Sequence, residues 1–449
     1  MKRSNTTPRS FSTERLQAAL GDVGGPARPD YLPAIVARAG HIRQRPAWTF
    51  LGGWLSVDPA GRRQGVARAA VVFASVLLLV ALLAAGVVYI GSQPERSLHL
   101  PATSGDWERV VIETPSLTGR VASMAVGPSG LLAVVGGDEP ARLAVSTDAR
   151  TWTIVPSGQH PSLSNDRGFG MPSVLRTDRG FLMLQLNEVW FSENGSNWRR
   201  LVGENTDPDL RMGGPGAATA GGPGLVGVGD DKAWYSVDGS AWSLAAVPPL
   251  PVEILARPDS QRYVAMTGVT GAGNDLVAWG LAEVPLADNS DEHLVMPLLW
   301  ASHDGRTWAS VVDPEMDSVT AVTGGPRGFV ATGQAGPEPA VWLSADGEVW
   351  ERVAEGGFTS PVRLELNAAS ATTAGYVVVG TGGQCVYYPC PGQEIVIWTS
   401  ADGRSWSRIP STDLFAEAQA YGSLAWGSRF VIGGAYDGKP AIWISASLQ

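Results

Sequence analysis

A chain of 449 residues that is 44% hydrophobic carries enough apolar material to fold and is long enough for more than one unit. Glycine (55) and tryptophan (17) are frequent, Lys and Arg total 33 against 43 Asp and Glu, and the net charge is −10. The charge is divided: residues 1–68 hold 11 Lys/Arg and 4 Asp/Glu, leaving 22 and 39 for the remainder, and so acidic a remainder excludes a surface built to bind nucleic-acid phosphates.

Residues 1–68 read as a basic arm, partly helical or disordered. Ser12 caps a predicted helix over 13–20, with Leu16, Ala19 and Leu20 on one side, and Asp30 caps another over 31–42, with Leu32, Ile35, Val36, Ala39 and Ile42 on one side. Pro33 falls in a first turn, where its missing N–H is tolerated. Trp48, Phe50, Leu51 and Trp54, beside Arg43 and Arg45, suit the inner surface of a membrane. Ala69 to Ile90 is 22 residues without a charge, apolar on every face and long enough to span a bilayer, so a transmembrane helix is expected over 69–91. It begins too far from the N-terminus for a cleaved signal peptide. Arg62, Arg63 and Arg68 precede it, which places the N-terminus in the cytoplasm. The expectation is a single-pass plasma-membrane protein with a cytoplasmic arm (1–68), a linker (92–104) and an extracytoplasmic region (105–449).

That outer region repeats itself. The phrase Trp-x-Ser-x-Asp-Gly-x-x-Trp runs from Trp300 to Trp308, Trp342 to Trp350 and Trp398 to Trp406, with small departures from Trp190 to Trp198 and Trp234 to Trp242. Ser146 to Trp152 has Ala149 for Gly, and a final copy stops at Ser445. The repeated serines fall at 146, 192, 236, 302, 344, 400 and 445, at spacings of 46, 44, 66, 42, 56 and 45. Between them recurs a Gly/Pro/Ser turn followed by an apolar run, as in VGPSGLLAVVGG (126–137) and TGGPRGFVATG (323–333), the pattern of a hairpin and a buried strand. In the first copy four strands are expected near 121–126, 131–135, 142–146 and 151–155, and units of roughly 40–50 residues suit four-stranded propeller blades. The two long units carry insertions, placed at Gly271–Val295 and Thr381–Glu394. Trp107, Trp152, Trp198, Trp242, Trp308, Trp350 and Trp406 count seven blades. The last copy lacks a fourth strand, so residues 105–112 are expected to supply it and remove an open edge. The predicted fold class is all-β: a seven-bladed β-propeller preceded by one transmembrane helix and a short, partly helical arm.

The repeated segment resembles the Asp-box, or BNR (bacterial neuraminidase), repeat of sialidase-like propellers, a Ser-x-Asp-x-Gly-x-x-Trp hairpin that is here one residue shorter. The resemblance spans about residues 105–449. It implies that the box is the hairpin between a blade's third and fourth strands, that its Asp and Gly satisfy the turn, and that its Trp packs between blades. Ser146, Asp148 and Trp152, with Ser192, Gly195 and Trp198, therefore read as structural. So do Ser236, Asp238, Gly239 and Trp242, and Ser302, Asp304, Gly305 and Trp308. Ser344, Asp346, Gly347 and Trp350, and Ser400, Asp402, Gly403 and Trp406 complete the set. The family's enzymes grip a carboxylate with three Arg on different blades, use a Tyr nucleophile paired with Glu and an Asp acid, and carry an Arg-Ile-Pro phrase in the first blade. Here Arg408-Ile409-Pro410 falls in the last blade, with Ile409 where Val110, Val155 and Val353 stand in other units, which reads as a strand end. No arginine triad follows from the sequence.

The five histidines have no metal-ligand spacing, and no phosphate loop, catalytic triad or zinc motif stands out, so no cofactor or metal is expected. Asp230, Asp231 and Asp437 read as solvated turn residues. Cys385 and Cys390, on the outer side, are expected to form a local disulfide, pinning a loop whose Tyr387 and Tyr388 make a candidate contact surface. The leading function is a monomeric, membrane-tethered, non-enzymatic recognition or scaffold module for a protein or glycan, with no nucleic-acid partner. Its rivals are a sialidase-like glycoside hydrolase and a transmembrane sensor, because the arm resembles the cytoplasmic segment of membrane-bound anti-sigma factors.

Overall fold

The structure, a computed structural model, describes residues 100–447 apart from 114–118, 138–139, 164–171, 186–187, 203–215, 223, 257–261, 286–292, 314, 355–356, 360–362 and 384–391. The chain divides into Met1–Pro94 and Glu95–Gln449. The arm 1–68, the apolar segment 69–91 and residues 92–99 lie outside the described residues. Among the described residues no helix is long and apolar enough to cross a membrane.

After β1 (Trp107–Val111), the described strands form seven four-stranded antiparallel sheets, seven blades of a β-propeller. The first is β2 (Arg120–Gly127), β3 (Gly130–Gly136), β4 (Arg142–Ser146) and β5 (Thr153–Ile154); the second is β6 (Ser173–Thr177), β7 (Gly180–Gln185), β8 (Glu188–Ser192) and β9 (Arg199–Val202). The third holds β10 (Ala217–Gly221), β11 (Gly224–Gly229), β12 (Lys232–Ser236) and β13 (Ser243–Leu244). A one-turn helix, α1 (Val252–Leu255), precedes the fourth: β14 (Tyr263–Ala272), β15 (Asp275–Pro285), β16 (His293–Ser302) and β17 (Ala309–Val311). The fifth is β18 (Ser318–Gly325), β19 (Gly328–Ala335), β20 (Glu338–Ser344) and β21 (Glu351–Arg352); the sixth is β22 (Leu364–Thr372), β23 (Gly375–Gly382), β24 (Glu394–Ser400) and β25 (Ser407–Arg408). The seventh contains β26 (Ala418–Trp426), β27 (Arg429–Tyr436) and β28 (Lys439–Ser445), and β1 completes it, pairing Trp107 with Ser445 through to Val111 with Ala441.

The first strand of each later blade, and β2 in the first, is the innermost. Each inner strand touches the next around the axis, from β2 through β6, β10, β14, β18, β22 and β26 back to β2. The core is correspondingly divided into seven apolar clusters, each shared by two adjacent sheets. Val121, Leu131 and Ala133 of the first blade, for example, pack with Val431, Ile442 and Ile444 of the seventh. Phe181 of the second blade closes on Gly127 of the first, and Tyr376 of the sixth on Gly325 of the fifth, so the turns after the inner strands share one end of the ring. We call this the turn end; the inner strands begin at the opposite end, the mouth.

The long fourth unit departs from expectation. Residues assigned to an insertion at Gly271–Val295 instead prolong the sheet, with β15 and β16 paired from Leu276–Ser302 out to Pro285–His293. Their even-numbered face, Ala282 and Val284, is buried with Ile254 of α1. Burial of that face makes paired strand preferable to loop, because a loop there would leave buried backbone groups unpaired. Residues 384–391, most of the second expected insertion, lie outside the described residues, and with them Cys385, Tyr387, Tyr388 and Cys390.

Candidate functional site

The repeated phrase forms the turn from the third to the fourth strand in the first six blades, whereas the seventh copy stops at Ser445 and its fourth strand is β1. The serines are buried, and the glycine N–H donates to the serine Oγ at 2.8–2.9 Å in Gly195, Gly239, Gly305, Gly347 and Gly403. The acidic side chain accepts two backbone N–H groups of its own turn. Asp148 takes those of Arg150 and Thr151 at 2.8 and 2.7 Å, Asp304 those of Arg306 and Thr307 at 2.8 Å, and Asp402 those of Arg404 and Ser405 at 2.8 Å. Asp346 does the same with Glu348 and Val349, while Asp238 takes the N–H and hydroxyl of Ser240. Asn194 replaces the carboxylate in the second blade and keeps both bonds, to Ser196 and Asn197. The closing tryptophan donates its Nε1–H to the carbonyl of the turn glycine, as Trp198, Trp242, Trp350 and Trp406 do, or of Ala149, as Trp152 does. Trp308 differs: its Nε1 is buried without a partner among the described residues, and its backbone N–H goes to Ala246 O.

These residues are not brought together; each set closes its own turn. The glycine is required for two reasons. Gly347 has φ 84°, and a Cβ there would stand 2.4 Å from Val277 Cγ2 of the preceding blade. A side chain is therefore opposed both by backbone conformation and by the neighbouring sheet. Ala149 adopts φ 60° and is fully buried against Val431 and Ile444. The second residue after the Asp often reaches the blade before: Arg150 to Glu108 (2.6 Å), Arg404 to Glu351 (2.7 Å), Arg306 over the Tyr235 ring, and Glu348 to His303 (3.1 Å). Such exposed contacts contribute little to stability, because water screens the charges.

The backbone N–H donors at Thr151 and Arg150 hold the Asp148 carboxyl down at about 2. Those of Thr307, Glu348 and Ser405 lower Asp304, Asp346 and Asp402, and the Ser240 hydroxyl lowers Asp238. A depressed carboxyl stabilises the fold above its unfolded pKa and loses that contribution as pH falls through its folded value. Stability is therefore expected to decline as pH drops from about 4 towards 2. Replacing Asp148, Asp304, Asp346 and Asp402 with Asn, which the second blade already tolerates, should flatten that decline. Equally steep acid unfolding curves for both proteins would refute the assignment.

The mouth carries a feature the sequence reading missed. Five inner strands have a β-bulge, at Ala122, Thr267, Thr320, Asn367 and Tyr421, each five residues ahead of the strand's last residue. The bulges therefore stand at one level around the axis. The second strand makes room for them with glycine. A Cβ on Gly280, Gly333 or Gly434 would fall 1.8–2.0 Å from the carbonyl oxygen of Ala265, Ser318 or Gln419, and one on Gly380 would fall 2.7 Å from Glu365 O. Val135 holds that position in the first blade. The signal was present in the phrase TGGPRGFVATG (323–333), which ends at Gly333, but a glycine closing an apolar run reads equally as a strand end. Bulges re-aim side chains. Thr267, Thr320 and Tyr421 are exposed, and Asn367 Oδ1 is buried without a partner among the described residues. Arg120 lies 4.5 Å above the Tyr421 ring, and Tyr421 Oη donates to the Gln419 side chain.

The seven inner strands contain two arginines, Arg120 and Arg176. Arg120 begins its strand, whereas Arg176 stands beside the turn at Thr177–Gly180, so they occupy opposite ends of the ring. Arg408-Ile409-Pro410 lies in the sixth sheet, not the last: Arg408 pairs with Glu394 (3.3 Å), and buried Ile409 donates its N–H to Ile397 O. Asp230 and Asp437 occupy turns with φ 48° and 47°. A cleft of about 540 Å³ between the fifth and sixth blades is lined by Gln334, Glu338, Arg352, Phe358 and Arg363.

No family model and no curated protein matches the chain. Among solved structures it is similar to YCF48 bound to a D1 peptide, at 14% identity and TM-score 0.49, with 78% of this chain and 100% of that one covered. It is also similar to the phage phi92 endosialidase (10% identity, TM-score 0.40, covering 77% and 69%). A third is Trypanosoma rangeli sialidase in complex with 2,3-difluorosialic acid (10% identity, TM-score 0.37, covering 77% and 59%). These are likenesses of fold.

Proposed function

We propose that this chain is a membrane-tethered recognition or scaffold module, anchored by residues 69–91 with its N-terminus in the cytoplasm. Its propeller stands outside as a monomer and binds a protein or glycan at the mouth of the ring, without catalysing its conversion. The repeated turns are read as a shortened Asp-box in a structural role, which accords with carboxylates committed to their own backbone. The observation that carries the binding role is the composition of the seven inner strands. Apart from Arg120, Arg176, Glu365 and two tyrosines they consist of small, apolar and uncharged polar residues. A carboxylate grip needs several uncommitted cations converging on one point, and the two inner-strand arginines stand at opposite ends. The 22-residue apolar stretch and the arginines before it support the tether.

The test is a glycan and protein binding screen with the full-length chain, run beside a fluorogenic sialoside assay. Retention of a ligand without turnover is expected. Sialoside turnover above background would replace this reading with the hydrolase. Protease treatment of intact cells should degrade the propeller and spare residues 1–68; the reverse pattern would invert the topology.

A further inference from the structure

We infer that the mouth binds an uncharged carbohydrate chain, seated on the ring of bulged residues. The inference rests on the recognition reading above and gives its ligand a chemical class. Carbohydrates are held by two things together: a flat aromatic surface against their C–H faces, and directional donors and acceptors matched to their hydroxyls. Both occur at one level here. Tyr421 supplies a ring on one bulge, 36% accessible, with Arg120 over one face and the other left for a sugar. Thr267 and Thr320 are exposed on two others; their hydroxyls donate to Trp279 O (3.4 Å) and Thr332 O (3.0 Å), which leaves oxygen lone pairs to accept from a sugar hydroxyl. Asn367, half-buried on the fourth, has an Oδ1 that no donor among the described residues reaches, and a turn of its side chain towards the mouth would bring that amide to a sugar hydroxyl. Tyr263, 59% exposed, extends the same wall towards the opening on the fourth blade.

The charges near this level are already engaged. Arg120 lies over the Tyr421 ring, and Glu365 pairs with Arg363 at 2.9 Å. Among the described residues an anionic sugar would meet no free cluster of cations, whereas a neutral one meets oxygen acceptors, an amide and a ring. The four glycines opposite the bulges are the structural requirement for this level: without them the inner-strand carbonyls collide with a side chain.

Isothermal titration of the full-length chain in detergent micelles tests this, with maltohexaose, cellohexaose and N-acetyl-chitohexaose as neutral probes and 3′-sialyllactose and oligogalacturonate as charged ones. At least one neutral probe should bind saturably, and more tightly than either charged probe. Tyr421→Ala should weaken it about tenfold or more, as expected for loss of an aromatic stacking partner. Tyr421→Phe, which keeps the ring, should retain most of the affinity, and Thr320→Val, which also gives up the bond to Thr332 O, should weaken binding severalfold while the chain still melts cooperatively. The inference is overturned if no neutral probe binds, if the charged probes bind better, or if Tyr421→Ala and Thr320→Val leave affinity unchanged. A displayed peptide captured in a Tyr421-dependent way, with no neutral probe bound, would overturn the carbohydrate and leave the recognition reading standing. Turnover of a fluorogenic sialoside would end both.

Discussion

Gly333→Ala is expected to destabilise the propeller by at least ~3 kcal/mol, the upper range for forcing atoms into a packed site. The added methyl would stand 1.8 Å from Ser318 O and 2.7 Å from its carbonyl carbon. The obstacle is backbone, which cannot rotate away as a side chain can. The chain must either expel β18 from its bulge or part the hairpin of β18 and β19. Thr320 sits on that bulge, so the geometry of the mouth would change with the stability. Gly422→Ala is the matched control: the residue lies beside a bulge on β26, has no positive φ, and its Cβ would meet nothing within 4 Å. Its effect should be about 1 kcal/mol or less. Urea unfolding followed by tryptophan fluorescence measures both. Coincident midpoints for Gly333→Ala and the unchanged protein would show that the glycine is not demanded by the bulge.

Trp107→Ala should cost about 3–5 kcal/mol, the range for deleting a buried large aromatic. Trp107 is 6% exposed and packs with Trp443, Ile409 and Phe415, its ring centroid 6.4 Å from that of Phe415. The strand it begins is the outer strand of a sheet otherwise made from the far end of the region, and Ala446 N–H to Asp106 O and Ile112 N–H to Pro440 O extend the seam. Excising residues 105–112 removes more: β28 becomes an open edge with a row of unpaired backbone groups. Loss of a cooperative melt and concentration-dependent association are expected for the excised chain, read by calorimetry and light scattering. A cooperative melt at the original temperature would mean that β1 does not close the ring.

The blade count and the strand order were readable from the sequence because the carrying signals are local. A serine, an acid, a glycine and a tryptophan within nine residues make a turn whose donors and acceptors satisfy one another, as Ser302, Asp304 and Gly305 do. Such a turn needs no distant partner, so each copy announces itself. The continuous apolar runs likewise mark second strands, such as Gly328–Ala335, buried on both faces. The extension of the fourth blade has the composition of loop and strand alike. Whether Leu281 to Pro285 pair depends on β16 and on α1, which the local sequence does not display.

The sequence by itself determined the repeat, the number of sheets and the chemistry of every Ser-x-Asp-Gly turn, because each is settled by residues a few positions apart. Only the tertiary structure decided where the inner strands bulge and which side chains share the mouth. A bulge is a relation of register between two strands, and the level shared by Thr267, Thr320, Asn367 and Tyr421 is a relation among four sheets about one axis. Residues up to 154 positions apart in the chain come to one level there only when the ring has closed.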